Sequence, residues 1–395
     1  MQRLRLLLDL AWNFLRLGLT SFGGPVAHLG YLRRECVERR GWIDDASYAD
    51  LVALCQFLPG PASSQVVFGL GLRRAGLAGA LTASLCFTLP SALLMIALGY
   101  GVASLGDLAH AGWLHGLLLA AVSVVAQAVW VMSVNLCPDL ARRLLAAAAA
   151  AAVLAVAGAL APVAAITACA LAGAWIYRGT TPVRPPSAAP TVSRPLGLAC
   201  LVLFASLLLV LPILARATGL QSVRVFDGFY RAGALVFGGG HVVLPLLRTQ
   251  VVGTGWVGDS RFMAGYGAAQ ALPGPLFAFG GYLGTVIRGG RGAWLGGVWA
   301  LLALFLPAWL LVAGVDPFWH RLRTRAWAAA ALFGANAAVV GILAAAFCTP
   351  VCTAAIHSPL DAAAASLGFY LLVYRGLPSW ALVALMAAAG PLLAT

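Results

Sequence analysis

Charge is what this sequence has least of. Only 9% of its 395 residues are Asp, Glu, Lys or Arg, where a soluble domain carries about a quarter. With 62% hydrophobic residues there is too little polar surface to cover a globule in water, so a soluble fold is excluded. Lysine is absent altogether, and all 25 cations are Arg. They are scattered between apolar segments, so the net charge of +13 reads as loop anchoring beside a lipid bilayer and attraction of an anion, with no nucleic-acid partner. Short alternating strands are missing, which excludes a β-barrel. There is no CxxC and no Cys/His cluster among the eight scattered cysteines, which argues against a metal site and against a disulfide framework. No GxxxxGK[ST] phosphate loop and no serine nucleophile elbow occurs. No catalytic residue and no cofactor is therefore expected, and the chain reads as something other than an enzyme.

Long apolar runs fill the space, and Leu144 to Trp175 is long enough to cross a bilayer core, which takes about 20 residues. The early Arg3, Arg5 and Leu run resemble a signal peptide. Asp9, Asn13 and Arg16 interrupt it and no small-residue cleavage site follows, so it reads as retained.

The sequence repeats. "FLRLGLTSFGGPV" (Phe14 to Val26) returns as "FYRAGALVFGGGH" (Phe229 to His241). "GWIDDASYADLVALCQFLPGP" (Gly41 to Pro61) returns as "GWVGDSRFMAGYGAAQALPGP" (Gly255 to Pro275). "FTLPSALLM" returns as "LFLPAWLLV", with Pro307 answering Pro90. Three matches in register make two homologous halves, residues 1–177 and 196–395, the second with its repeat core starting near 225. A Pro/Ser/Thr-rich linker, 178–195, joins them.

With a cytoplasmic N-terminus, "RRECVERR" (Arg33 to Arg40) is cytoplasmic too. Residues 6–32 then enter and return as two half-helices meeting at Gly23-Gly24-Pro25, and residues 44–74 do the same around Pro59-Gly60-Pro61. Full spans follow at about 76–101, 113–136, 144–160, 162–177 and 196–215. Five crossings place the second half upside down. Arg142, Arg143 and the linker arginines fall inside, while Arg288 and Arg291 are exceptions that land outside. The expected fold is an all-α polytopic membrane protein of two inverted repeats. Each has broken, re-entrant-like hairpins at GGP or GGG and at PGP, followed by full spans.

Irregular backbone in a membrane is tolerated only where protein buries it or a cavity borders it. A half-helix N-terminus offers free N–H groups and partial positive charge, which suit an anion. Arg16 and Arg231 each stand seven residues before a glycine break, either as paired ligands or as cations snorkelling to headgroups. Gln56 and Gln270 precede the two LPGP breaks and either bind substrate or tie the break together; Gln65 has no counterpart. His28 and His241 flank the glycine breaks, as titrating groups or as structural ones. Asp44, Asp45 and Asp50 cluster at the second hairpin's mouth, and Asp259 answers Asp45; capping competes with proton coupling for these, with His28 and Asp45 the coupling candidates. A membrane prenyltransferase would need a second aspartate-rich cluster, and the second half offers only Asp259.

"FGGPVAHLGYLRRECVERRGWID", "LVALCQFLPGPASSQ" and "ALVFGGGHVVLPLL" resemble the chromate transporter family in its long, two-domain form. The resemblance implies a multi-pass protein of the bacterial inner membrane. It implies a secondary transporter that exports chromate, driven by the membrane potential or ion gradients, and so gives chromate resistance. It places family signature positions at Gly23, Gly24, Pro25, Gln56, Pro59, Gly60, Pro61 and Gln65, with Arg16 as the basic position before the first break. In the second half they are Gly238, Gly239, Gly240, Pro273, Gly274 and Pro275. Gly240 stands where Pro25 does, so the two half-sites differ. Chromate is a tetrahedral dianion, and two Arg, opposed helix N-termini and Gln amides would compensate it. Sulfate has the same shape and charge, and no residue separates the two. Assembly as a homodimer is left open.

Overall fold

A computed structural model describes the chain except residues 1, 23, 105–111, 157–160, 180–189, 237–242, 323–324 and 394–395. The first half runs α1 (Gln2–Thr20), α2 (Gly24–Arg33), a π-helical turn (Arg34–Arg39), α3 (Asp45–Phe57), α4 (Ala62–Ser104), α5 (Gly112–Leu136), α6 (Leu140–Ala155) and α7 (Ala161–Ile176). Then come α8 (Arg194–Thr218), α9 (Gln221–Leu235), α10 (Val243–Val251), α11 (Asp259–Ala271), α12 (Phe279–Arg288), α13 (Ala293–Leu322), α14 (Ala326–Ala346), a single turn α15 (Thr353–Ala355), α16 (Pro359–Val373) and α17 (Ser379–Leu393). No strand occurs among the described residues. Five of these helices, α4, α5, α8, α13 and α14, are long and apolar enough to cross a membrane.

The spans expected at 113–136 and 196–215 are α5 and α8. That expected at 76–101 is the long arm of α4, which bends at Ala75 and Gly76 between arms 62–74 and 77–104. Those expected at 144–160 and 162–177 are α6, which starts early, and α7, which lies within one residue of its expected bounds; each has 16 residues. The reason for α6 is local: Asp139 accepts the Arg142 N–H and caps the helix four residues before the expected start. Leu77, Leu81, Leu85, Leu89 and Leu93 recur every fourth residue along α4 and stay exposed, so they form one lipid-facing stripe.

Repetition in sequence is repetition in contact. Arg33 Nε donates to Asp45 at 2.8 Å, and Arg248 Nε donates to Asp259 at 2.9 Å, in matching places of the two halves. The equivalent helices α4 and α13 run antiparallel, since Trp309 donates to Ser84 while Trp294 N donates to Tyr100, in opposite order along the two helices. Two equivalent spanning helices that run in opposite directions make the halves inverted repeats.

The last helices of each half are exchanged. α7 packs on α14 and α17 packs on α5, each against the other half. Both contacts are backbone to backbone: a Cβ on Gly334 would lie 1.8 Å from the Cys169 carbonyl oxygen, and one on Gly116 would lie 1.9 Å from that of Met386. Such close approach requires small residues, as helix pairs in lipid commonly do. Gly334→Ala and Gly116→Ala each force these pairs apart and cost on the order of 1–3 kcal/mol by overpacking. Gly30→Ala on α2 meets nothing within 4 Å and is tolerated. Thermal unfolding of the detergent-solubilised protein measures this, and three equal shifts would sink the exchanged packing.

Candidate functional site

The two LPGP breaks have one cause. Leu58 and Leu272 each precede a proline and are extended (ψ 147° in both), which ends α3 and α11. Gly60 (φ +130°) and Gly274 (φ +94°) then take the left-handed turn that a side chain resists. Each break is held by the opposite half. Gly60 N donates to Val236 O at 2.5 Å, at the end of α9, and Gly274 N donates to Ser21 O at 2.9 Å, just past α1. So the PGP break of each half is hydrogen-bonded to the glycine break of the other. Ala308 sits against Gly60 and Ser91 against Gly274. These residues follow Pro307 and Pro90 and lie at the midpoints of α13 and of the long arm of α4, so the breaks meet at mid-span.

One side of this centre is polar. At the start of α4, Ser63 (4% exposed), Ser64 (2%) and Gln65 (0%) are buried. Gln65 Nε2 donates to Pro59 O at 2.8 Å and ties the break to the helix that follows it. Ser64 Oγ and Gln65 Oε1 are buried with no partner, which a native interior seldom allows without a role. His28 of α2 is buried and lies between Ser21 O (3.1 Å from Nε2) and Ser63 Oγ (3.4 Å from Nδ1), with Phe87 edge-on to its ring. The counterparts by repeat offset are Val243, Phe277, Ala278 and Phe279, all buried and apolar. The backbone frame is symmetric and its chemistry is not.

The cations stand off from the breaks. Arg16 Nη2 donates to Glu35 at 3.0 Å. Glu35, on the π-helical turn, also accepts from Arg40 (2.7 Å) and Arg39 (3.3 Å), and Arg40 bridges on to Asp9 at 3.1 Å. Burial pushes the Glu35 carboxyl up, yet Arg40, Arg16 and Arg39 together hold it below the usual carboxylate range. Three guanidiniums face two carboxylates here, leaving one net positive charge. Arg231 pairs with Asp227 one turn before it, and Asp227 Oδ1 and Arg231 Nε are buried without partners. Arg216 also acts on Asp227, so this flank carries one net positive charge as well.

The structure therefore brings Gly60, Gln65, His28 and Gly274 together with Pro59, Pro61, Pro273 and Pro275 at the crossed breaks. Gln56 is exposed on α3, and Gln270 is half-buried beside Tyr266, to which it is hydrogen-bonded. Asp45 is an exposed ion-pair partner of Arg33, and Asp44 caps α3 through the Ser47 N–H. Gly24 opens α2 with φ +73°, followed by Pro25. Gly23, Gly238, Gly239, Gly240 and His241 lie outside the described residues. Sequence reasoning passed over Ser21, Ser63 and Ser64. The available signal was the contrast between "PGPASSQ" and "PGPLFAF", two repeats alike in backbone and opposite in polarity.

A family model described as chromate transporter matches residues 8–174 and 223–391, that is, both halves. The chromate transport protein of Pseudomonas aeruginosa is 32% identical over 75% of this chain and 69% of its own length. A probable chromate transport protein of Synechococcus elongatus is 27% identical over 79% and 76%. The chromate transport protein of Cupriavidus metallidurans is 28% identical over 85% and 80%. No solved structure matches the chain. Inverted halves with broken helices, crossed at mid-span and matched by the family model on each side of the linker, lead to one conclusion: this chain belongs to the chromate transporter family.

Proposed function

We propose that the protein is a secondary transporter that exports chromate from the cytoplasm across the bacterial inner membrane and so confers chromate resistance. The observation that carries this reading is the crossing of the breaks at mid-span, with buried and partnerless polar atoms beside it. Secondary transporters of inverted repeats bind substrate at such discontinuous helices. The relatives named above as chromate transport proteins support the substrate. Direction follows from physics. An inside-negative potential drives an anion outward by roughly 2.3 kcal/mol per charge per 100 mV, about twice that for a dianion.

In this reading the units are residues 1–177 and 196–395, joined by a cytoplasmic linker at 178–195, with the N-terminus cytoplasmic. The site comprises the broken segments at 23–25, 59–61, 238–240 and 273–275 with Gln65 and His28. Arg16 and Arg231 are the cations of its approaches, each flank keeping one positive charge uncompensated. Such a charge attracts an anion and need not enter its coordination.

The test is chromate uptake into inside-out vesicles from cells expressing the chain, with sulfate as competitor and with gradients collapsed in parallel. Saturable uptake that uncouplers abolish is expected, and no uptake with intact protein in the membrane overturns the substrate. Arg16→Gln should raise KM for chromate several-fold with little change in kcat, and more so at low salt. An equal loss in kcat would place Arg16 in the transport step. Single cysteines replacing Arg40 and Val252 should react with an impermeant thiol reagent from opposite sides of the membrane. Labelling from one side would undo the topology.

A further inference from the structure

His28 is held from two sides. Its Nε2 faces the Ser21 carbonyl oxygen, which only accepts, so Nε2 carries a hydrogen whatever the charge of the ring. Nδ1 faces Ser63 Oγ. In the neutral ring Nδ1 is an acceptor, and the Ser63 O–H donates to it. In the imidazolium Nδ1–H donates to Ser63 Oγ, and the Ser63 O–H turns free. Ser63 stands in the first turn of α4, where the N–H groups of Ala62, Ser63 and Ser64 have no partner within the helix. Ser64 Oγ, in the same turn, is 98% buried and partnerless. A proton on His28 thus adds a hydroxyl donor to a helix N-terminus that already offers several.

We propose that the first turn of α4 is a proton-linked oxyanion site: a tetrahedral oxyanion binds the N–H groups and hydroxyls of Ser63 and Ser64 as His28 takes a proton from solution. This deepens the transport reading above and rests on it. Binding of either partner raises affinity for the other, because linkage is reciprocal. Among the described residues no carboxylate or guanidinium faces the His28 ring. α1 presents the Ser21 carbonyl, and α4 presents Ser63 and Phe87. From α3, Tyr48 is engaged with the Leu29 carbonyl. Arg33, Glu35 and Asp45 gather beyond the other end of α2. The negative charge that holds a proton on this ring is then the ligand's own. The second half has Val243 for His28 and Phe277 and Ala278 for the serines, so each chain has one such site. A dianion that travels with one proton keeps one net negative charge, so the complex still moves with the membrane potential.

Calorimetry of chromate binding to the purified chain tests this. It is run in mildly alkaline buffers of two ionisation heats, where free chromate carries no proton. About one proton should be taken up per chromate bound. The uptake should vanish in His28→Gln and in Ser63→Ala, and binding should weaken about tenfold in each, the range for one hydrogen bond to a charged group. Ser64→Ala should weaken binding by a similar factor and keep the proton uptake. Chromate bound without proton uptake, or uptake that survives in His28→Gln, overturns the proposal. If the folded chain binds no chromate, the substrate reading fails instead, and the same titration with sulfate decides between proton-linked binding and none.

Discussion

The crossed hydrogen bonds at the breaks are the constraint on which the rest of the architecture depends. A helix that stops inside a bilayer leaves N–H and C=O groups without partners, each costing several kcal/mol in hydrocarbon. This chain ends four helices near the midpoints of α4 and α13. It satisfies Gly60 N and Gly274 N on Val236 O and Ser21 O of the opposite halves. Each half's PGP break is closed by the other half, so the two fold against each other at their centre. The same dependence recurs farther out, where α7 lies on α14 and α17 on α5. Interlocking at both radii makes the repeat pair one body around its pseudo-twofold axis.

Symmetry of backbone left the side chains free to diverge. Prolines and glycines match in both halves because they set the breaks. The residues that follow the breaks do not have to match, and they differ in polarity. Ser63, Ser64 and Gln65 are answered by Phe277, Ala278 and Phe279. The first side concentrates buried hydrogen-bonding groups, and the second presents a packed aromatic wall of Phe262, Phe279 and Tyr282. A dianion needs one well-provided site more than two half-provided ones, because each partly satisfied polar site carries its own desolvation cost.

Much of this fold was legible in the sequence, for definite reasons. Membrane spans follow from long apolar runs. The halves follow from repeated Gly and Pro, whose backbone meaning does not depend on tertiary context. The inversion follows from an odd number of crossings. The helix whose start was missed, α6, lies in an alanine-rich stretch where apolar character says little about where a helix begins, and the Asp139 cap sets it four residues earlier. Partnerships were harder. Glu35 lies 19 residues from Arg16 and reaches it only because the chain turns back through a π-helical segment. Arg16 therefore reads as a free cation in sequence and as a member of a five-residue charge cluster in space. Ser63 and Ser64 are small and common residues, and only burial sets them apart, Ser63 against His28 and Ser64 with no partner for its hydroxyl. That one half satisfies the other's breaks could not be read at all, since it depends on which of two identical motifs folds against which.

The two hairpins that share this frame are not packed alike. Ala268 and Ala271 on the second hairpin close against Leu117, Val383 and Ala387, so α11 is sealed onto α5 and α17. Phe57, Leu58 and Pro59 on the first hairpin border an apolar cavity of about 370 Å³, whose other walls are α7, α14 and Leu235 of α9. Cores resist intermediate spacing because contacts fall off within an ångström or so of separation. A hairpin is then either seated or apart, and the repeat shows both arrangements in one chain. The crossed hydrogen bonds tie each hairpin to the other half, the first through Gly60 N to Val236 O at the end of α9 and the second through Gly274 N to Ser21 O just past α1. The polar first turn of α4, with its buried serines, therefore follows the unsealed hairpin, and the aromatic turn of the second half follows the sealed one.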